Sequence, residues 1–437
     1  MLANISNTLI TKLREGVTGR IVSGAFWVIV GTVISKILVF IATMAVARIL
    51  VKDVYGQLGI IRSTIQLFVS LSAFGLGATA TKYIAQYRKV SAIETAKVYC
   101  IANIFILLMA VLASGVLLIS ADAIATDRLN APQLSTDIRI AGVILFFTLI
   151  TGAQTGTLAG FEDFRRISFS NTIMGFSEVI LLCCGAYWWG LRGAILGFGI
   201  TYLIGSIYNS YYIRNHLKAE SISVRDGLKN LKLSDFKILF SFSLPLAANS
   251  WIQMAVYWWM KTVVVRNAGF ENMANYDVGE QWKAQIMFIP GILQTVMLPI
   301  LSNVMDSQKD KKIAIKINLL INASTTIILG LIVICLGDFI LFFYGSSYTN
   351  PIPLYILAIS TVFDSIANVY GTALISANKA PMTLISNFAW TFVLIISFNI
   401  VMQYNGAFEN KLATSYFVAG SFQALIVYYI ARKSKIC

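Results

Sequence analysis

Asn249, Gln253, Tyr257 and Lys261 recur every fourth residue through an otherwise apolar run. On a helix that spacing puts all four on one face, where amides, a phenol and an ammonium can reach a common ligand. Two other runs carry similar stripes. Thr32, Lys36 and Thr43 share a face in the first, and Arg62, Gln66 and Ser70 recur at steps of four in the second. Asp364 and Asn368 form a further pair four residues apart, and Lys82 lies in the stretch AFGLGATATKYIAQYR, residues 73–88. Four of these groups, Lys36, Arg62, Lys82 and Lys261, are cations. A cationic lining in a low-dielectric site attracts an anion, a phosphate-bearing ligand above all. The substrate-facing set expected from the pattern is Lys36, Arg62, Gln66, Lys82, Asn249, Gln253, Lys261 and Asp364.

Two other readings stay open. Glu178, Glu280 or Asp364 would instead attract a lipophilic cation, as in a multidrug exporter. A third reading is a structural membrane protein that transports nothing, because an intramembrane charge near a helix end also snorkels to the interface or pairs with a neighbour. Glu280 and Lys283, three residues apart, are expected to neutralise one another. Trp258, close to Lys261, leaves room for a sugar. No phosphate-binding glycine loop, metal-ligand cluster or nucleophile motif is present in the sequence. The five cysteines lack pairing or metal-ligand spacing, and His216 lies alone in a polar linker. Catalytic residues, a metal site and a cofactor are therefore not expected, and coupling to an ion or to the membrane potential is left open.

The elements that hold these residues must be membrane helices. Of 437 residues, 57% are hydrophobic and only 12% charged, too apolar for a water-exposed fold of this size. The net charge of +14 does not indicate nucleic-acid binding, since the cations gather in short loops between apolar runs. No cleavable signal peptide is expected, because residues 1–20 are mixed polar and cationic. With roughly 20 residues needed per crossing, helices are expected near 21–47, 54–81, 95–120, 138–160, 168–188, 191–213, 237–265, 276–304, 315–344, 352–378, 381–404 and 410–431. The fold class is thus an all-α polytopic membrane protein of about twelve transmembrane helices. Most loop cations fall on one side of that pattern, against Arg48, Lys52, Arg128, Arg139, Arg192, Arg266 and Lys411 on the other. Both termini and the linker 214–236 are therefore expected in the cytoplasm. The linker divides an N-terminal six-helix bundle, 1–213, from a C-terminal one, 237–437.

The halves repeat one another. VARILVKDVYGQLG (46–59) is answered by VVRNAGFENMANYDVG (264–279), and LAGFEDFRRISFSN (158–171) by LISANKAPMTLISN (374–387). Two repeats of this kind are the layout of a transporter. The N-terminal segment from SGAFWVIVGTVISK to ATKYIAQYR resembles bacterial polysaccharide flippases, the O-antigen and oligosaccharide-repeat exporters related to the multidrug and toxin extrusion (MATE) transporters. The resemblance implies two MATE-like bundles around a central cavity in the bacterial inner membrane. It also implies a function in lipopolysaccharide biosynthesis, the translocation of an undecaprenyl-pyrophosphate-linked oligosaccharide, with membrane lipids around the polyprenyl tail and room for a polysaccharide polymerase partner. Lys36, Arg62, Lys82 and Lys261 are the positions that match a cationic lumen for the pyrophosphate.

Overall fold

The computed structural model describes residues 17–237, 244–303, 308–377, 379–434 and 436. They are predominantly helical, with no strand among the described residues. In a hydrocarbon layer this is the local solution that satisfies every backbone donor and acceptor within its own segment. The chain divides into two compact units. The first draws on the chain up to Val46 with Phe68–Asp122 and Leu134–Ala248, and the second on Ala47–Leu67, Ala123–Gln133 and Asn249–Cys437.

In the first unit, α1 (Val17–Ile49), which runs on into the second unit beyond Val46, is accompanied by α3 (Leu76–Tyr87), α4 (Ala92–Ala123), α5 (Ser135–Gly160), α6 (Phe164–Ala219) and the short α7 (Val224–Lys229). The expected helix 54–81 is broken: α2 (Lys52–Ser72) and α3 meet at a bend of 45°. Phe74 and Gly75 both take positive φ there, 46° and 63°. Beyond the break, Gly77 faces Gly156 of α5 so closely that a Cβ on Gly156 would run into the Gly77 backbone. Thr81 seals the contact by donating to the Gly156 carbonyl at 2.9 Å. Small residues thus let two apolar helices approach.

α6 is one element of 56 residues only in its hydrogen-bonding pattern. Trp189 (φ −129°, ψ 16°) and Gly190 (φ 57°, ψ −133°) are not helical, and the two arms fold back on each other there. Gly185 abuts Gly193, and Gly197 abuts the Leu181 backbone, pairings that only an antiparallel hairpin makes. These arms correspond to the expected helices 168–188 and 191–213.

In the second unit, α8 (Leu244–Ala268), α9 (Phe270–Ile286), α10 (Phe288–Asn303), α11 (Gln308–Cys335), α12 (Gly337–Tyr344), α13 (Ile352–Ser376), α14 (Ala380–Met402) and α15 (Phe408–Lys433) are joined by most of α2. α13 is central, packing on α9, α10, α11, α14 and α15. Two expected helices are divided: 276–304 at Met287, three residues before Pro290, and 315–344 at Leu336.

Among the described residues eight helices are long and apolar enough to cross a membrane, and the bent pair α2–α3 makes a ninth. That falls short of the expected twelve for physical reasons. α6 counts once although it has two arms, the expected 276–304 is divided into α9 and α10 of 17 and 16 residues, each too short to cross alone, and α8 is not among the eight.

Candidate functional site

The second unit holds a buried ionic network built by α2, α8, α9, α13 and α15. α9 begins at Phe270, earlier than expected, so Asp277, Glu280 and Lys283 fall three apart on one helical face. α8 presents Tyr257 and Lys261 to that face, four residues apart. The Lys261 ammonium, only 5% exposed as a side chain, donates to Glu280 Oε2 at 2.5 Å and to Asp277 Oδ1 at 3.2 Å. The Tyr257 and Tyr276 hydroxyls lie 2.8 Å apart, and both rings sit near the ammonium, with centroids 5.0 and 5.8 Å from it.

Glu280 and Lys283 do not pair off with each other as expected. Lys283 reaches the Asp364 carboxylate of α13 at 2.9 Å and lies over the Tyr416 ring of α15, 3.2 Å from its centroid. Each charge has a partner on a different helix, because a buried ion is costly without an opposite charge in direct contact. Tyr416 stacks edge-on to Tyr257, centroids 6.1 Å apart, which joins the two ion-pair groups through aromatic rings.

α2 closes the other side. Gly56 lies against the Phe270 backbone and Gly59 against the Asp277 carboxylate, positions a Cβ would fill. Gln281 donates to the Tyr55 hydroxyl at 2.5 Å and accepts from Tyr344 at 3.3 Å. Arg62, half-buried on α2, is close enough for its charge to act on Asp277. The segments 46–59 and 264–279, which repeat one another in sequence, are therefore packed against each other.

Of the expected set, Arg62, Lys261 and Asp364 are gathered in this network. Gln253 is half-buried on α8, and Gln66 is exposed on α2. The side chain of Asn249 lies outside the described residues. Lys36 and Lys82 are exposed in the first unit, Lys82 with its ammonium 4.9 Å from the Tyr83 ring centroid. The charge balance also differs from the cationic lining expected. Here Arg62, Lys261 and Lys283 stand with three carboxylates, Asp277, Glu280 and Asp364. Asp277 was missed by sequence reasoning, although its i, i+3, i+6 spacing with Glu280 and Lys283 carried the signal. The Trp258 indole donates to Thr64 at 2.9 Å.

The first unit has a smaller polar seam. Gln154 donates to Ser210 at 2.9 Å, and Glu178 and Asn209 are buried. His216 lies 2.6 Å from Asp163 and stacks on Phe161, with centroids 5.0 Å apart. That geometry braces the end of α6 against the turn before it.

A family model described as polysaccharide biosynthesis protein matches residues 21–305, well over half of the chain. The chain belongs to that family. A lipopolysaccharide biosynthesis protein, WzxC, of Escherichia coli (strain K12) is 25% identical over 404 residues, covering 91% of this chain and 77% of that protein. A putative O-antigen transporter of Shigella flexneri is 22% identical over 376 residues, covering 83% and 86%. Among solved structures, an inward-facing multidrug resistance MATE family transporter of the MOP superfamily aligns with a TM-score of 0.78 at 13% identity, covering 93% of this chain and 98% of that one. A MOP superfamily transporter from Pyrococcus furiosus, described as having a binding pocket of reverse polarity, aligns with a TM-score of 0.70 at 14% identity, covering 97% of each chain. This member of the polysaccharide biosynthesis family therefore has the MATE-like all-α membrane fold.

Proposed function

We infer that this protein is a flippase for lipid-linked oligosaccharides and performs transport, with no chemical conversion of its substrate. The observation that carries the reading is the buried ionic network of the second unit in a chain of the polysaccharide biosynthesis family. Ionisable groups within membrane helices are costly, and they are characteristically kept where a polar substrate or ion must pass. The names of the two relatives, a lipopolysaccharide biosynthesis protein and a putative O-antigen transporter, agree with it.

The finer reading is that the carrier is undecaprenyl pyrophosphate and the membrane is the bacterial inner membrane, with both termini cytoplasmic. Lys36, Arg62, Lys82 and Lys261 would attract the pyrophosphate, while Gln66, Gln253 and Asn249 offer hydrogen bonds to sugar hydroxyls. Partner exchange between Arg62, Lys261, Lys283 and their carboxylates offers a route for coupling to an ion or to the membrane potential. A polysaccharide polymerase is the protein partner this role calls for. The multidrug reading is weaker because the names of the two relatives belong to lipopolysaccharide biosynthesis and O-antigen transport.

Proteoliposomes provide the test. Wild-type protein should move a short-chain polyprenyl-pyrophosphate oligosaccharide between leaflets, and Lys36→Ala or Arg62→Ala should slow that movement at least tenfold. Lys312→Ala, on an exposed position of α11, should not. Lys311 would be a poor control, since it is buried. Movement of lipophilic cations, abolished by Asp364→Asn and without oligosaccharide translocation, would overturn the reading.

A further inference from the structure

We propose that the second unit carries a glycan subsite at the end of α8, built by Trp258, Arg266 and the turn Ile124–Arg128, which takes an acidic or phosphorylated sugar. The proposal rests on the flippase reading and places part of the substrate's headgroup. A cavity of about 560 Å³ opens there, lined by Thr126, Asp127, Arg128, Trp258 and Arg266 among others. Pockets with an aromatic wall and a few convergent polar groups are the form ligand sites take.

Each wall is held in place by contacts that leave binding groups available. The Trp258 indole is fixed at its polar edge, where Nε1 donates to the buried hydroxyl of Thr64 at 2.9 Å. Among the described residues no other aromatic ring stacks on it. An anchored ring of this kind presents an apolar face, which suits the C–H face of a sugar. Ile124–Arg128 is a single π-helical turn, a local geometry that recurs at functional sites. It projects Thr126, Asp127 and Arg128 as exposed side chains. Arg266 ties this turn to α8 by donating to the Asp127 carbonyl at 3.3 Å.

The charges point to the ligand class. A carboxylate accepts from sugar hydroxyls, and guanidinium groups bind carboxylates and phosphates through paired hydrogen bonds. Arg128 and Arg266 are also two of the few cations on the side of the topology opposite to most of the basic loops, and the fold brings them to one cavity beside a tryptophan. That side is the periplasmic one in the proposed orientation, so the subsite would receive the headgroup after translocation. The anion could be the phosphate next to the first sugar or the carboxylate of an acidic sugar, and the chemistry shared by both is a ring bearing a negative group.

The test uses the full chain in lipid nanodiscs and isothermal titration calorimetry with four probes. These are N-acetylglucosamine 1-phosphate, glucuronic acid, glucose and inorganic phosphate. Saturable binding of either anionic sugar is expected, at least tenfold tighter than glucose or phosphate alone, and the tighter of the two identifies the source of the charge. Trp258→Ala, Arg128→Gln and Arg266→Gln should each weaken it at least fivefold. Because Trp258→Ala also removes the Thr64 contact, Thr64→Val serves as the structural control and should retain binding. Arg128, exposed on the turn, can be changed without disturbing the core. Equal binding of phosphate and the sugar phosphate, no saturable binding, or unchanged binding in Arg128→Gln and Trp258→Ala would each overturn the subsite. Leaflet-to-leaflet movement of the lipid-linked substrate by wild-type protein, measured in parallel, separates that outcome from failure of the flippase reading.

Discussion

Lys283 sits 2.9 Å from the Asp364 carboxylate, while Glu280, one helical turn earlier on α9, turns to Lys261 on α8. The short-range partner is passed over for two long-range ones, so α9 is tied electrostatically to both α8 and α13.

Breaking the Lys283–Asp364 pair from either side should destabilise the protein strongly. Both side chains are about nine-tenths buried, and removing one partner of such a pair leaves an uncompensated charge, costing ~3–5 kcal/mol. Thermal unfolding in detergent should show a large loss of Tm for Lys283→Met and for Asp364→Leu. The double variant should recover much of it; equal losses in all three would argue against direct coupling.

Gly156→Ala should loosen the first unit. The new methyl group would run into the Gly77 backbone, and overpacking of this kind costs about 1–3 kcal/mol. Gly152, where a Cβ meets open space, supplies the comparison: Gly152→Ala should leave Tm within a degree or two, on the scale of a surface change.

Asp163 should give the first unit a pH-dependent brace. Burial opposes ionisation of its carboxyl, but the hydrogen bond with His216, the Arg166 amide and the neighbouring charges outweigh burial and hold it below the usual carboxylate range. A carboxyl depressed in the folded state stabilises above its unfolded value and loses that contribution as pH falls through the folded value. The contribution of the ionised Asp163 carboxylate to the Tm difference between wild type and Asp163→Asn should therefore be lost below about pH 4.

The orientation is testable at Lys229 on α7. This helix is held to α4 through Cys100, whose thiol lies 3.6 Å from the Val224 carbonyl, and through Gly227 against Ala96. In a background with the native thiols replaced, a cysteine at position 229 should react with membrane-impermeant maleimide only from the cytoplasmic side. Labelling of intact cells from outside would invert the topology.

The sequence by itself determined the class of molecule and much of its parts list. Apolar run length fixes which segments can cross a bilayer, and this property needs no knowledge of neighbours. The short gap between the expected helices 168–188 and 191–213 is where α6 folds back, because Gly190 takes the positive φ that a tight reversal requires. The close approach of Gly77 to Gly156 joins residues far apart in the chain, and spacing within one helix does not show it. Tertiary structure alone decided which charge meets which. Spacing on one helix places Glu280 beside Lys283, yet the energy of a buried ion depends on desolvation and on contacts delivered by other helices. Those contacts come from residues far away in the chain, such as Lys261 and Asp364. Sequence spacing also could not show that Gly59 rests on Asp277, or that Arg128 and Arg266 share a cavity with Trp258. Such relations arise when separate helices pack, and helical periodicity describes only one helix at a time.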